Sequence, residues 1–193
     1  MNKEGFLLIV SGPSGAGKGT ICNELLQKYP DQYALSISAT SRSPRGTEKD
    51  GVEYFFKTAK EFEEMIAQDQ LLEYARYVNN YYGTPRSWVE EKLLEGVNVI
   101  LEIDYQGGFQ VRSKLPHVLL IFIMPPNKEE LLRRLTLRGT ETQEQIMQRI
   151  QKAEEEIQVA DQYDYVIVNE DIEKSVEMLH NIVMSEKKKL RET

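Results

Sequence analysis

Glycines at 12, 15 and 17 followed at once by Lys18 are the residues best suited to chemistry in this chain, within Gly12-Pro13-Ser14-Gly15-Ala16-Gly17-Lys18-Gly19-Thr20. Glycines at these places let backbone N–H groups turn inward around a polyphosphate without Cβ clashes. A helix starting near Lys18 adds the positive end of its dipole at the same point, and the lysine reaches for the terminal phosphates. The pattern Gly-x4-Gly-Lys is met by Gly12, Gly17 and Lys18. The usual Ser or Thr after the lysine is replaced by Gly19, with Thr20 one place later, and the missing hydroxyl is the one that normally holds Mg2+. The plainer alternative is a glycine-rich turn that binds nothing. The setting argues against it, because the apolar run Phe6 to Val10 reads as a buried strand leading into the loop.

Arg42 and Arg45 lie three apart in the polar stretch Thr40 to Lys57, with Tyr54 nine residues further on. Two guanidinium forks and a phenol suit a dianionic monophosphate, through bidentate charge-assisted bonds and one neutral donor. A solvated basic loop is the other reading of the arginines alone. Further on come Arg133, Arg134, Arg138 and Arg149. Arg134 and Arg138 are four apart and share a helix face, while Arg133 points elsewhere and reads as surface. Glu102 and Asp104 close an apolar strand two residues apart, so one face should carry both. They could also cap neighbouring helices. Glu141, Glu144, Glu154, Glu155 and Glu156 read as a solvated face balancing these arginines. His117 and His180 sit in unrelated contexts, and Cys22 falls on the helix after the glycine loop as a packed thiol.

These groups need positioning, and the elements alternate in a way that supplies it. Strands are expected at 6–10, 34–38, 71–78, 97–103, 118–124 and 165–168. Helices are expected at 60–68, 86–95, 106–114, 128–137, 144–160 and from 172 to about 190. Gly96 reads as a helix stop. The run Val97 to Ile103 is apolar without alternation, as in a parallel strand buried on both faces. The fold class is therefore α/β, a parallel sheet flanked by helices with ligands at the carboxyl ends of the strands.

The chain has 193 residues, 40% hydrophobic and 28% charged, and a net charge of −7. That suits one well-buried domain and argues against general nucleic-acid binding, which favours a basic face. No apolar run approaches the ~20 residues of a membrane span, and no signal peptide is evident. A lone cysteine suits a reducing compartment, so a cytoplasmic location is expected.

The stretch from Thr40 to Lys57 resembles the guanylate kinase signature at every specified position. The likeness continues through Asn80-Tyr81-Tyr82-Gly83-Thr84, Leu101-Glu102-Ile103-Asp104, Arg134 to Glu141 and Val168-Asn169, and so runs in order through nearly the whole chain. The resemblance implies transfer of the γ-phosphate of ATP to GMP, with Mg2+ as cofactor; the sequence leaves open whether dGMP also serves as acceptor. It also implies a P-loop core (1–34, 85–125 and 161–193), a GMP-binding lobe (35–84) and a helical lid (126–160). In such kinases Gly-Lys-Gly-Thr is common, and the resemblance implies a metal held by phosphates and water, with Thr20 as the candidate protein ligand.

Residue by residue, the resemblance puts Arg42, Arg45, Tyr54 and Tyr82 on the GMP phosphate. Guanine offers N1–H and a 2-amino group where adenine has no matching donors, and O6 where adenine has an amine. Glu73 and Asp104 would accept from the first two, while Ser38 and Thr84 would donate to O6. Such a site leaves carboxylates unpaired when AMP enters. Glu102 would orient Lys18 or the waters of the metal. Arg138 and Arg149 would hold the ATP phosphates, with Arg134 and Asn169 near adenine. No general base is needed for an acceptor already ionised near neutral pH. Two other readings are a scaffolding module of the same fold and a different P-loop enzyme. The first would show a degraded glycine loop. A GTPase would carry Asn-Lys-x-Asp, but Asn127-Lys128-Glu129-Glu130 lacks the aspartate.

Overall fold

Each residue of the first strand, β1 (Leu7–Ser11), is buried, because it lies at the centre of a sheet covered on both faces. The computed structural model describes residues 5–137 and 142–192, with side chains as far as 189. The other strands of this sheet are β2 (Tyr33–Leu35), β7 (Asn98–Glu102), β8 (Leu119–Met124) and β9 (Tyr165–Val168). Their order is β2-β7-β1-β8-β9, and every pairing is parallel. Alternate residues of β1 serve opposite cores. Leu8 and Val10 pack with Ile21, Cys22 and Leu25 of α1 (Lys18–Lys28) and with Val176, Leu179 and Val183 of α7 (Ile172–Glu192). Leu7 and Ile9 pack with Val89 of α3 (Arg86–Leu94) and Val111 of α4 (Tyr105–Lys114). Full burial of such side chains contributes roughly 1.5–3 kcal/mol each. Parallel strands all end on one edge, so Gly12, Glu102 and Asn169 all emerge there, after β1, at the end of β7 and after β9.

A second, four-stranded sheet, β4-β3-β6-β5, stands apart. It contains β3 (Ala39–Thr40), β4 (Phe55–Phe56), β5 (Leu71–Tyr77) and β6 (Asn80–Pro85), backed by α2 (Ala59–Ala67). Phe62, Leu71 and Ala39 form its small separate core. α5 (Lys128–Thr136) and α6 (Gln143–Ile157) share another, built from Leu131, Leu135, Ile146, Ile150 and Ala153.

The expected strand at 34–38 stops at Leu35, and the chain crosses to the second sheet. Strand β6 was not foreseen. Its hairpin turns on Val78 and Asn79, whose φ angles of 44° and 65° are those of a two-residue turn with both central residues left-handed. The helix expected to reach residue 160 ends at Ile157 and is followed by a single 3-10 turn at Ala160–Gln162.

Candidate active site

The loop after β1 turns because its three glycines, 12, 15 and 17, all adopt positive φ. Gly12 has φ 143°, and a Cβ there would lie 2.1 Å from the Ile123 carbonyl oxygen of β8. Gly17 caps α1 at φ 97°, and its Cβ would sit 2.4 Å from Asn169 Nδ2. Lys18 Nζ folds back over the loop, donating to the carbonyl oxygens of Gly12 (2.6 Å) and Pro13 (3.1 Å). Cys22, one turn on, is fully buried. Desolvation pushes its thiol up to about 12, so it is packing and not a nucleophile.

Asn169 and Arg134 hold the back of the loop. Asn169 is fully buried, donates from Nδ2 to the Ala16 carbonyl (2.8 Å) and accepts from Ser175 Oγ (3.2 Å). Arg134 donates from Nη1 to the same Ala16 oxygen (3.2 Å), from Nη2 to the Asn169 carbonyl (2.9 Å) and from Nε to Glu130 (2.8 Å). Both residues thus shape the loop through Ala16, a contact sequence reasoning did not supply. Arg149 of α6 donates to Ser14 Oγ at 3.2 Å. Arg138 and Glu141 lie outside the described residues. Arg133 forms an exposed pair with Glu130, as expected of a surface residue.

Gly19 has a local explanation. A Cβ there would meet the Glu102 carboxylate at 3.5 and 3.6 Å, so Glu102 already lines the place where related loops carry a hydroxyl. Burial raises the Glu102 carboxyl above its ordinary range, and Lys18 opposes the rise. Thr20 is exposed on the first turn of α1. Among the described residues no cluster of three or more His, Cys, Asp or Glu could hold a metal by itself. One carboxylate beside a phosphate loop fits Mg2+, which keeps several waters and is bound through one or two carboxylates plus substrate phosphates.

The second constellation converges on α4. Asp104 caps that helix, accepting from Gly107 N at 2.9 Å. Glu73 of β5 is 6% exposed, and its Oε2 would lie 3.1 Å from a Cβ on Gly107. Glycine at 107 therefore lets Glu73 close on the same helix turn that Asp104 caps. β7 ends at Glu102, and Asp104 follows in extended backbone (φ −71°, ψ 170°) as the cap of α4. Burial pushes the Glu73 carboxyl up to about 7; Thr84 lowers it by hydrogen bonding, Asp104 raises it, and Lys114 lowers it. Thr84 Oγ1 donates to Glu73 Oε1 at 2.7 Å. Thr84 thus orients the Glu73 carboxylate within the pocket where it was expected to meet the base. Ser38 is half-buried, and its carbonyl accepts from Phe55 N.

Arg42, Tyr54 and Tyr82 are brought together. The Arg42 guanidinium carbon lies 5.4 Å from the Tyr54 ring centroid, and the Tyr54 and Tyr82 rings meet edge to face at 6.1 Å. Arg45 is exposed on the same loop. Arg42 also meets Glu48, at 2.9 and 3.0 Å, a partner not singled out from the sequence. Glu156 is a second such residue. It is half-buried on α6 and not on the solvated face assigned to it; burial raises its carboxyl, while Lys18 and Asp104 act on it from opposite sides in charge. Its three-residue spacing from the buried Ala153 on one helix was the available signal.

The guanylate kinase family model matches residues 4–186. A guanylate kinase of Caldanaerobacter subterraneus subsp. tengcongensis is 48% identical over 187 residues, covering 97% of this chain and 90% of that protein. One from Mycoplasmoides gallisepticum is 50% identical over 183 residues, with 95% and 94% covered. The crystal structure of guanylate kinase from Anaplasma phagocytophilum superposes with a TM-score of 0.72 at 36% identity, covering 95% of this chain and 87% of that one. With a phosphate loop on the central strand, an arginine–tyrosine cluster and a buried glutamate on the second sheet, and likeness along the whole length, the chain belongs to the guanylate kinase family.

Proposed function

We infer that the chain transfers the γ-phosphoryl group of ATP to GMP, yielding ADP and GDP. Besides membership of the family, the observation that carries this reading is the buried Glu73 facing the α4 turn capped by Asp104. A carboxylate pair desolvated in this way suits the N1–H and 2-amino donors of guanine and penalises a base that lacks them. Arg42, Arg45, Tyr54 and Tyr82 bind the GMP phosphate in this reading, and Ser38 meets O6. Thr84 acts by holding Glu73. dGMP, which keeps the same base and phosphate, is an alternative acceptor.

Phosphoryl transfer asks for positioning and positive charge more than covalent help. The loop from Gly12 to Thr20 cradles the ATP phosphates, and Lys18 exchanges its two loop carbonyls for phosphate oxygens. Arg149 holds the same phosphates from α6, joined by Arg138. Arg134 and Asn169 keep the loop in shape and border the adenine. Mg2+ would be held by the phosphates, water and Glu102, with Thr20 nearby, and would neutralise charge on the transferring group.

The second sheet and the α5–α6 pair each carry a small core of their own. This supports a GMP-binding lobe (35–84) and a lid (126–160) that close on a fixed core and exclude water, bringing Arg42 and Arg138 to the γ-phosphate. Among the described residues no helix is long and apolar enough to cross a membrane, and we place the enzyme in the cytoplasm with its nucleotide substrates. The test is ADP release with Mg-ATP and each of GMP, AMP, UMP and dTMP. Turnover with GMP alone is expected. A preference for AMP would contradict the roles of Glu73 and Asp104, and GMP binding without turnover would indicate a scaffolding module.

A further inference from the structure

Glu48 lies in the loop between β3 and β4, and both of its carboxylate oxygens are engaged with the arginine segment. Oε2 accepts from Arg42 Nη1 at 2.9 Å and from the Arg45 backbone N–H at 2.7 Å, while Oε1 accepts from Arg42 Nη2 at 3.0 Å. The Glu48 backbone N–H donates in return to the Arg45 carbonyl at 3.0 Å. Arg42 is grasped end-on, through the Nη1–Nη2 edge, and Nη1 also donates to the Ser43 carbonyl at 2.8 Å. Its side chain is only 10% exposed, stacked over Tyr54 and Phe56 at 5.4 and 5.9 Å. The bonds to Glu48 and Ser43 come from Nη1 and Nη2 and leave Nε out of them, while the Tyr82 phenol, read as another phosphate ligand, also hydrogen-bonds the guanidinium.

We propose that Glu48 is a positioning residue for the acceptor phosphate: it fixes the Arg42 guanidinium by one edge so that the other edge meets the phosphate of GMP. This rests on the reading above that Arg42 binds that phosphate. A planar fork has five N–H donors and two bidentate edges, so one carboxylate and one phosphate fit without competing. An arginine that is held already loses little side-chain freedom when the phosphate arrives. The same carboxylate folds residues 42–48 into a closed turn, which places Arg45 beside Arg42. The alternative use of this geometry is competition, with Glu48 standing in for the phosphate and leaving when it binds. The two differ in sign.

The test is a double-mutant cycle on GMP affinity, measured by calorimetry, with wild type, Glu48→Gln, Arg42→Ala and the double variant, and with ATP affinity followed alongside. Glu48→Gln is expected to weaken GMP roughly tenfold to a hundredfold and to leave ATP unchanged. In the Arg42→Ala background the same change should have a much smaller effect, the remainder passing through the turn that Glu48 closes at the Arg45 N–H, so the losses are strongly non-additive. Glu48→Asp, which keeps the charge on a shorter stem, should recover part of the loss. Tighter GMP binding by Glu48→Gln would show competition and overturn the proposal. So would additive losses in the double variant, or equal losses for ATP and GMP, either of which marks a purely structural role. If Arg42→Ala binds GMP like wild type, the assignment of Arg42 itself fails and the proposal falls with it.

Discussion

The surroundings of Glu73 and those of Lys18 and Arg42 solve the same problem, holding charge ready for a ligand, in opposite ways. Glu73 is buried, has a threonine committed to it, and sits on a glycine that admits it to the α4 turn. Its charge is disfavoured until donors arrive. The cations rest on acceptors of their own: Lys18 on two loop carbonyls, Arg42 on Glu48, and Arg149 against Ser14. A base-reading pocket built of buried acids discriminates because the wrong base leaves those acids unpaired. Phosphate-binding cations need no such penalty. They exchange one set of oxygens for another as the ligand enters.

The sharpest way to break this comparison is to remove the central cation. Lys18→Ala should lower kcat by about a thousandfold while leaving the melting temperature near that of wild type, since its bonds to Gly12 and Pro13 are local to the loop. ADP release and a thermal melt check both parts, and a large fall in melting temperature would make Lys18 structural. On the acid side, Glu73→Gln keeps the shape and the Thr84 contact. It should cost roughly a hundredfold in kcat/KM for GMP and leave the ATP KM unchanged. Equal loss for the two nucleotides would end the assignment.

Smaller effects separate two neighbouring arginines. Arg134→Ala frees the Ala16 and Asn169 carbonyls and should raise the ATP KM about tenfold. Arg133→Ala removes an exposed pair with Glu130 and should stay within about twofold of wild type in KM, kcat and stability. If the two variants behave alike, the clamp on the loop has no function.

Much of this was legible from residue order, for reasons that differ by region. The glycine loop and the buried strands are local signals: Gly12, Gly17 and Lys18 have fixed spacing, and β7 and β8 are uninterrupted apolar runs. Strand β6 was not legible, because Asn80 to Pro85 neither alternates nor forms an apolar run and exists through pairing with β3 and β5. The pairing of Arg42 and Arg45 with a phenol could be read, but not Glu48, whose role depends on how a loop without periodicity folds back. Glu156 was assigned to solvent because three consecutive glutamates look alike until the helix phase turns one inward. Thr84 could be read as a pocket hydroxyl, but not its 2.7 Å contact with Glu73, which joins residues eleven apart on two strands.

The measurement that tests the buried-acid pocket most directly is the GMP dissociation constant at pH 8 and pH 6 for wild type and Glu73→Gln. Burial holds the free Glu73 carboxyl at about 7, raised from 4.5, so it is charged at the higher pH and mostly protonated at the lower one. A protonated acid loses its acceptor role toward the guanine donors, so wild-type affinity should fall as pH drops through this window. Without ligand the same shift means that Glu73 favours folding at low pH and loses that contribution as pH rises from about 5 to 7. Ionisation of the GMP phosphate, with pKa near about 6, affects both proteins equally and cancels in the comparison. We expect wild type to weaken more steeply than Glu73→Gln between the two pH values. Identical pH dependence in the two proteins would contradict the claim that a buried, titrating Glu73 reads the base.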